Sequence, residues 1–306
     1  MAQPIHVYAM AFALLYLLVT SIIWGLSYGI NCRAMDFATA PAMGLLFGFI
    51  GAVTFCPFAL HNSLKKLRLK FAAVGAVQLG LMYFFYQNAM AHLESHQVAL
   101  MSLGTPIFVG IFADVFERKP PWRRLLFALA SVGACSFAVG GNLQGKHMLR
   151  GFIECQAANA FYGLGQVLYG RMKRAHGDAA DRSALFWMNL GSLLPLWAAM
   201  VLLPAERPPV HFAGTAEQLT ILLFLGVLSG TIGNYLWNKG IAMADSGTVL
   251  ICNNFPVIFG LFFGRLLFGE GGSWFRQLSA AAVIMALLAL NGNGVKTLEK
   301  RRRATS

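Results

Sequence analysis

The sequence predicts an all-α integral membrane protein: ten transmembrane helices forming two five-helix repeats, the second inverted with respect to the first. Three observations carry that reading. The 306 residues are 57% hydrophobic and 12% charged, with a mean hydropathy of +0.61, against about 45–50% apolar and about 25% charged in soluble domains. Ten apolar runs come close to the ~20 residues that cross a bilayer. The second half of the chain repeats the first. A soluble chain of this length would need charged outer helix faces, and they are missing.

The runs fall at about 10–32, 40–60, 71–91, 96–116, 123–142, 150–171, 184–203, 217–238, 247–268 and 274–294. No Lys or Arg precedes the first and no small-residue cleavage site ends it, so it is expected to be a retained helix and not a signal peptide. The second carries GLLFGFIG (44–51), a glycine face that permits close helix packing. HNSLKKLRLK leads into the third. Between the third and fourth lies AHLESHQV (91–98), where His92, Glu94 and His96 have the types and spacing of a metal box. It is read instead as a helix-to-helix turn, since the two histidines need not share a helix side. The fourth run contains Pro106, and ERKPPWRR separates it from the fifth. The sixth is dotted with Asn159, Tyr162, Gln166 and Tyr169. RMKRAHGDAADR precedes the seventh, and LPAERPPVHFAGTAEQ precedes the eighth. The ninth holds Asn253 and Asn254 just before Pro256. The tenth ends in a basic tail. The expected divisions are 1–145 and 146–295 for the two repeats and 296–306 for the tail.

A net charge of +12 raises nucleic acid as a partner, but the positive residues sit in short clusters between apolar runs, not along one amphipathic face. With the N-terminus placed in the cytoplasm, inner loops and tail hold 19 of the 24 Lys and Arg residues. That bias fits ten spans with both ends inside. The five cysteines are scattered without paired spacing, so neither a disulfide framework nor a zinc site is expected. No metal and no cofactor are called for.

At an offset of 150, Asn88 meets Asn238, Pro106 meets Pro256, Gly110 meets Gly260 and Phe112 meets Phe262. At an offset of 138, Trp24 meets Tyr162 and Gly25 meets Gly163. Five helices per copy is odd, so the second copy is inverted in the membrane, an arrangement found in secondary transporters that bind substrate near the midplane between copies.

With WG at 24–25, YFFYQNAM at 83–90, and Pro106 followed by Glu117, repeated as YLWNKGI (235–241), Asp245 in ADSG, Pro256 and Glu270, the chain resembles the drug/metabolite transporter superfamily, in its ten-helix EamA-type branch. The likeness spans essentially the whole chain. The Pro-to-Glu interval is shorter in the first half than in the second, which makes Glu117 the weaker match. The resemblance implies the EamA fold and export or exchange of amino acids, amines, carboxylates or other metabolites.

Polar groups in a bilayer are costly unless they face the bundle interior. Thr20, Trp24, Tyr28 and Asn31 share one face of the first helix; Asn159, Tyr162, Gln166 and Tyr169 share one face of the sixth. Tyr83, Tyr86 and Gln87 lie on the third, with Thr231, Asn234 and Asn238 on the eighth. The expected substrate-binding residues are Trp24, Tyr83, Gln87, Tyr162, Gln166, Asn234 and Asn254. Asn88, Asn238, Ser102 and Thr105 are read as interhelical glue, and Tyr28, Asn31 and Tyr169 also suit an interfacial belt. Pro106 and Pro256 each remove a backbone donor and are expected to act as gating kinks. Aromatics and amides suit a neutral or zwitterionic solute, through ring contacts and cation–π interaction with an ammonium, so amino acids or amines are the expected cargo.

Asp114, Glu117 and Glu270 lie near inner helix ends. Glu154, near the outer end of the sixth helix, is the one candidate for proton coupling, against an interfacial role. An intramembrane enzyme is the rival class. It would need clustered carboxylates, metal spacing or an activated nucleophile, and the chain has no HExxH and no GxSxG. A channel, or a transporter of carboxylates or sugars, also competes. The reading is a multi-pass exporter of the bacterial-type inner membrane, with both termini cytoplasmic. It works by alternating access with a small-molecule substrate, as a monomer or a homodimer.

Overall fold

The computed structural model describes residues 3–60, 65–93, 95–117, 126, 129–130, 133, 148–176, 181–203, 212–269 and 273–304. Among these the regular structure is entirely helical. We label the helices α1 (Gln3–Ala34), α2 (Ala40–Phe55), α3 (Arg68–His92), α4 (95–117), α5 (Met148–Ala175), α6 (Asp181–Leu202), α7 (Ala216–Met243), α8 (246–268) and α9 (Trp274–Ala304). They correspond to the first four and last five expected spans. The fifth, 123–142, and Glu270 lie essentially outside the described residues. α9 runs on to Ala304, within the expected basic tail.

Seven of these helices are long and apolar enough to cross a membrane, and an eighth apolar stretch, Trp274–Leu287, is shorter. Large apolar side chains such as Phe49, Leu194 and Leu266 are more than half exposed. In water that surface would aggregate; in a bilayer it faces lipid. α5 falls short of the hydropathy of a span because Arg150, Glu154, Arg171, Lys173 and Arg174 sit at its ends and amides fill its middle. Its amide face is enclosed by α3, α4 and α7, which relieves it of the need to be apolar.

The packing repeats as the sequence does. α1 lies against α8 and α7, while its counterpart α5 lies against α4 and α3. α2 lies against α6, its own counterpart. The equivalence extends to irregularities. α3 carries a π-helical turn at Ala76–Leu81, and α7 carries one at Phe224–Gly233. α4 is broken by a 3-10 turn at Ser102–Gly104. α8 is broken at residues 253–254. In both, proline stands in the first turn of the second piece (Pro106 in Thr105–Glu117, Pro256 in Phe255–Phe268), where its missing N–H costs least.

Small residues set the closest crossings. Gly44, Gly48 and Gly51 form one stripe of α2, facing Leu196, Ser192 and Asn189 of α6. At the expected turn α3 closes at His92, Leu93 is extended, and α4 restarts at Ser95, with Glu94 outside the described residues. At the equivalent turn, Asp245 caps α8, accepting from the Gly247 and Thr248 amides at 2.9 and 3.0 Å. α8 closes on Gly269, whose φ of 68° suits glycine.

Candidate functional site

α1, α3, α5 and α7 converge with the breaks of α4 and α8 around one cavity of about 770 Å³, the part open to solvent included. α1 contributes Trp24, Tyr28 and Asn31, α3 contributes Tyr83, Tyr86 and Gln87, and α5 contributes Asn159 and Tyr162. Asn234 comes from α7, and Asn253 and Pro256 from α8. Among the described residues, no Asp, Glu, Lys, Arg or His lines it.

The aromatic part is built around Trp24. Its ring meets Tyr162 edge-on at 5.9 Å and leans on Trp237 at 5.0 Å. Its indole N–H is held by the Ser229 carbonyl of α7 at 3.1 Å, so the ring is fixed from two helices. Across the cavity Phe47 packs edge-on to Tyr83 at 5.0 Å.

The amides form ordered pairs. Asn31 donates to the Ser27 carbonyl at 3.0 Å and accepts from Gln87 at 3.0 Å. Asn234 donates to the Tyr83 hydroxyl at 2.7 Å and to the Gly230 carbonyl at 2.6 Å. α5 clasps both helix breaks. At the α4 break, Asn159 and Gln156 donate to the Met101 carbonyl at 2.8 and 3.0 Å, and Thr105 donates to Asn159 at 2.9 Å. At the α8 break, Gln166 and Asn253 exchange two amide bonds, 3.0 and 3.2 Å. Buried amides paired in this way keep the irregular backbone satisfied at membrane depth.

Of the expected binding residues, Trp24, Tyr83, Gln87, Tyr162 and Asn234 line the cavity. Gln166 and Asn254 do not. Gln166 lies one turn beyond Tyr162, where α5 faces α8 and not the void, and its amide is engaged with Asn253. Asn254, fully buried, turns its amide to the Ile251 carbonyl at 3.4 Å, because the break at 253–254 sends adjacent side chains different ways. Tyr28 and Asn31 belong to the cavity and not to an interfacial belt. Tyr169 is buried and donates to Asp181 at 3.2 Å, and Asp181 also pairs with Lys173 at 2.8 Å. Asn238 accepts from Gln78 at 2.9 Å, joining α3 to α7 as glue. Glu154 pairs with Arg150 at 3.1 Å and comes within 4.0 Å of His92, outside the cavity lining. The wall residues that the sequence did not single out are Ser27, Phe47, Met82, Ala158 and Ser229.

The model of the EamA-like transporter family matches residues 11–140 and again 155–292. The chain belongs to this family. The two matches are the two copies of the family's repeat, and the membrane fold described above is that of the family. Among its relatives, the biotin transporter of Salmonella typhimurium is 30% identical over 94% of this chain and 97% of its own length. The biotin transporter of Escherichia coli K12 is 29% identical over the same shares. The probable biotin transporter of Pseudomonas aeruginosa is 27% identical over 91% of this chain and 97% of its own. A solved crystal structure, 15% identical, superposes with a TM-score of 0.70 over 95% of this chain and 99% of that one, a likeness of fold. The protein is a multi-pass membrane transporter.

Proposed function

We propose that this member of the family carries biotin across a bacterial-type inner membrane by alternating access. The observation that carries the reading is the uncharged wall of aromatic and amide groups between the two repeats, taken with the names of relatives that match nearly the whole chain. Biotin has a neutral fused ring system bearing a cyclic urea, and a flexible tail ending in a carboxylate. The rings suit an aromatic pocket with amide partners. With no cation among the described lining residues, the tail carboxylate stays hydrated at the open side. Amino acids and amines, expected from the same aromatics, have no counterpart among the relatives' names and become competitors in the test.

In this reading α4 and α8 flex at residues 102–104 and 253–254, with Pro106 and Pro256 seating their second pieces. Both termini lie in the cytoplasm, as the distribution of Lys and Arg indicates. The test is counterflow of labelled biotin in proteoliposomes, competed with amino acids, amines and carboxylates, with Tyr162→Ala in parallel. Saturable biotin exchange that Tyr162→Ala weakens supports substrate and site together. Exchange of another solute with biotin inert overturns the substrate. Biotin exchange untouched by Tyr162→Ala overturns the site.

A further inference from the structure

Three residues that line the cavity each hold a buried polar atom with no hydrogen-bond partner: Gln87 Oε1, Asn234 Oδ1 and the Tyr162 hydroxyl. The Gln87 and Asn234 residues are 0% and 2% exposed. Their amides cannot turn without loss. Asn31 gives its N–H group to the Ser27 carbonyl, so its oxygen faces Gln87 and takes the Gln87 N–H. This leaves Gln87 presenting oxygen. Asn234 uses its N–H₂ group on Gly230 and Tyr83, again leaving oxygen. A buried acceptor without a donor is unfavourable until a donor arrives.

Two oriented acceptors and one hydroxyl are the complement of a cyclic urea, which offers two N–H donors on either side of one carbonyl acceptor. We propose that the trio is a ureido clamp. Gln87 Oε1 from α3 and Asn234 Oδ1 from α7 each accept one ring N–H. The Tyr162 hydroxyl from α5 donates to the ureido oxygen, while Trp24, edge-on to Tyr162, flanks the bound ring. The assignment rests on the biotin reading above and gives it a specificity: such a site rejects analogues whose N–H groups are capped, because its acceptors are then left bare.

The test uses biotin counterflow by the full chain, with competitors that differ at one group. Desthiobiotin keeps the urea and should compete within a few-fold of biotin. Biotin methylated on a ureido nitrogen should compete about tenfold more weakly or worse. Tyr162→Phe, which removes only the hydroxyl, should weaken biotin about tenfold. A methylated analogue as effective as biotin, or a Tyr162→Phe protein with unchanged affinity, overturns the clamp and leaves biotin transport standing. If Tyr162→Phe does not fold, the analogue series on the unaltered protein decides. Absence of any biotin exchange overturns the biotin reading alone. The clamp is then judged by thermal shift with 2-imidazolidone, the bare cyclic urea: stabilisation that Tyr162→Phe abolishes supports it, and none overturns it.

Discussion

Replacing Gly25 by alanine should destabilise the protein far more than the equivalent change at Gly163, although the two glycines are repeat-related. At Gly25 the new Cβ stands 2.8 Å from the Gly260 nitrogen and in hard overlap with Phe259 Cβ, where non-bonded carbons prefer ~3.5–4.0 Å. Both obstacles are backbone or Cβ atoms, so no rotamer change relieves them, and α1 and α8 must part by roughly 1 Å. Overpacking of this kind costs ~1–3 kcal/mol, and the rigidity of the obstacle argues for the upper end. Alanine returns up to ~1 kcal/mol of helix propensity, leaving about 2 kcal/mol of net loss. At Gly163 the nearest atoms, Phe108 Cβ and Val109 N, both stand at 3.1 Å. A shift of a few tenths of an ångström suffices, and the small cost is cancelled by propensity. Thermal unfolding in detergent, followed by tryptophan fluorescence, should show Gly25→Ala several degrees below the parent and Gly163→Ala close to it. Biotin exchange should fall with Gly25→Ala, since Trp24 and Tyr28 ride on the displaced helix. Equal unfolding temperatures for the two variants would refute the reasoning from the α1–α8 contact.

Other expectations are narrower. Gln166→Leu leaves the Asn253 amide half-paired and should lower stability by ~1–3 kcal/mol; combined with Asn253→Ala it should cost little beyond either single change, and additive losses would show that the two amides are not coupled. Glu154→Gln should retain biotin exchange with an unshifted pH profile, because the carboxylate is committed to Arg150 away from the cavity; a lost proton dependence would make it a coupling group. Green fluorescent protein fused after Ser306 should fluoresce and alkaline phosphatase fused there should stay inactive, and the reverse pair would put the C-terminus outside.

Spans and repeat were legible because hydrophobic length and the matched pairs Asn88/Asn238 and Pro106/Pro256 are properties of composition and order, insensitive to side-chain detail. The cavity was legible wherever a polar or aromatic residue had no reason to be in lipid: Trp24, Tyr83, Gln87, Tyr162 and Asn234 all betray the face they occupy. Phe47, Met82 and Ala158 carry no such mark, for an apolar residue lining a cavity looks in sequence like one facing lipid or a neighbouring helix. Helical spacing also assumes that a stripe keeps one neighbour along its length. On α5 it does not: Tyr162 faces the void, while Gln166, one turn on, faces Asn253. At the α8 break the periodicity stops altogether, so Asn253 and Asn254 exchange the roles that an unbroken helix would suggest. The π-helical turns at Ala76–Leu81 and Phe224–Gly233 add a residue to a turn and rotate the helix on their C-terminal side, Gln87 and Asn234 included. Gln87 and Asn234 thus stand beyond points where the regular period fails, and it takes the coordinates to show that both amides spend N–H groups on neighbours and leave an oxygen without a donor.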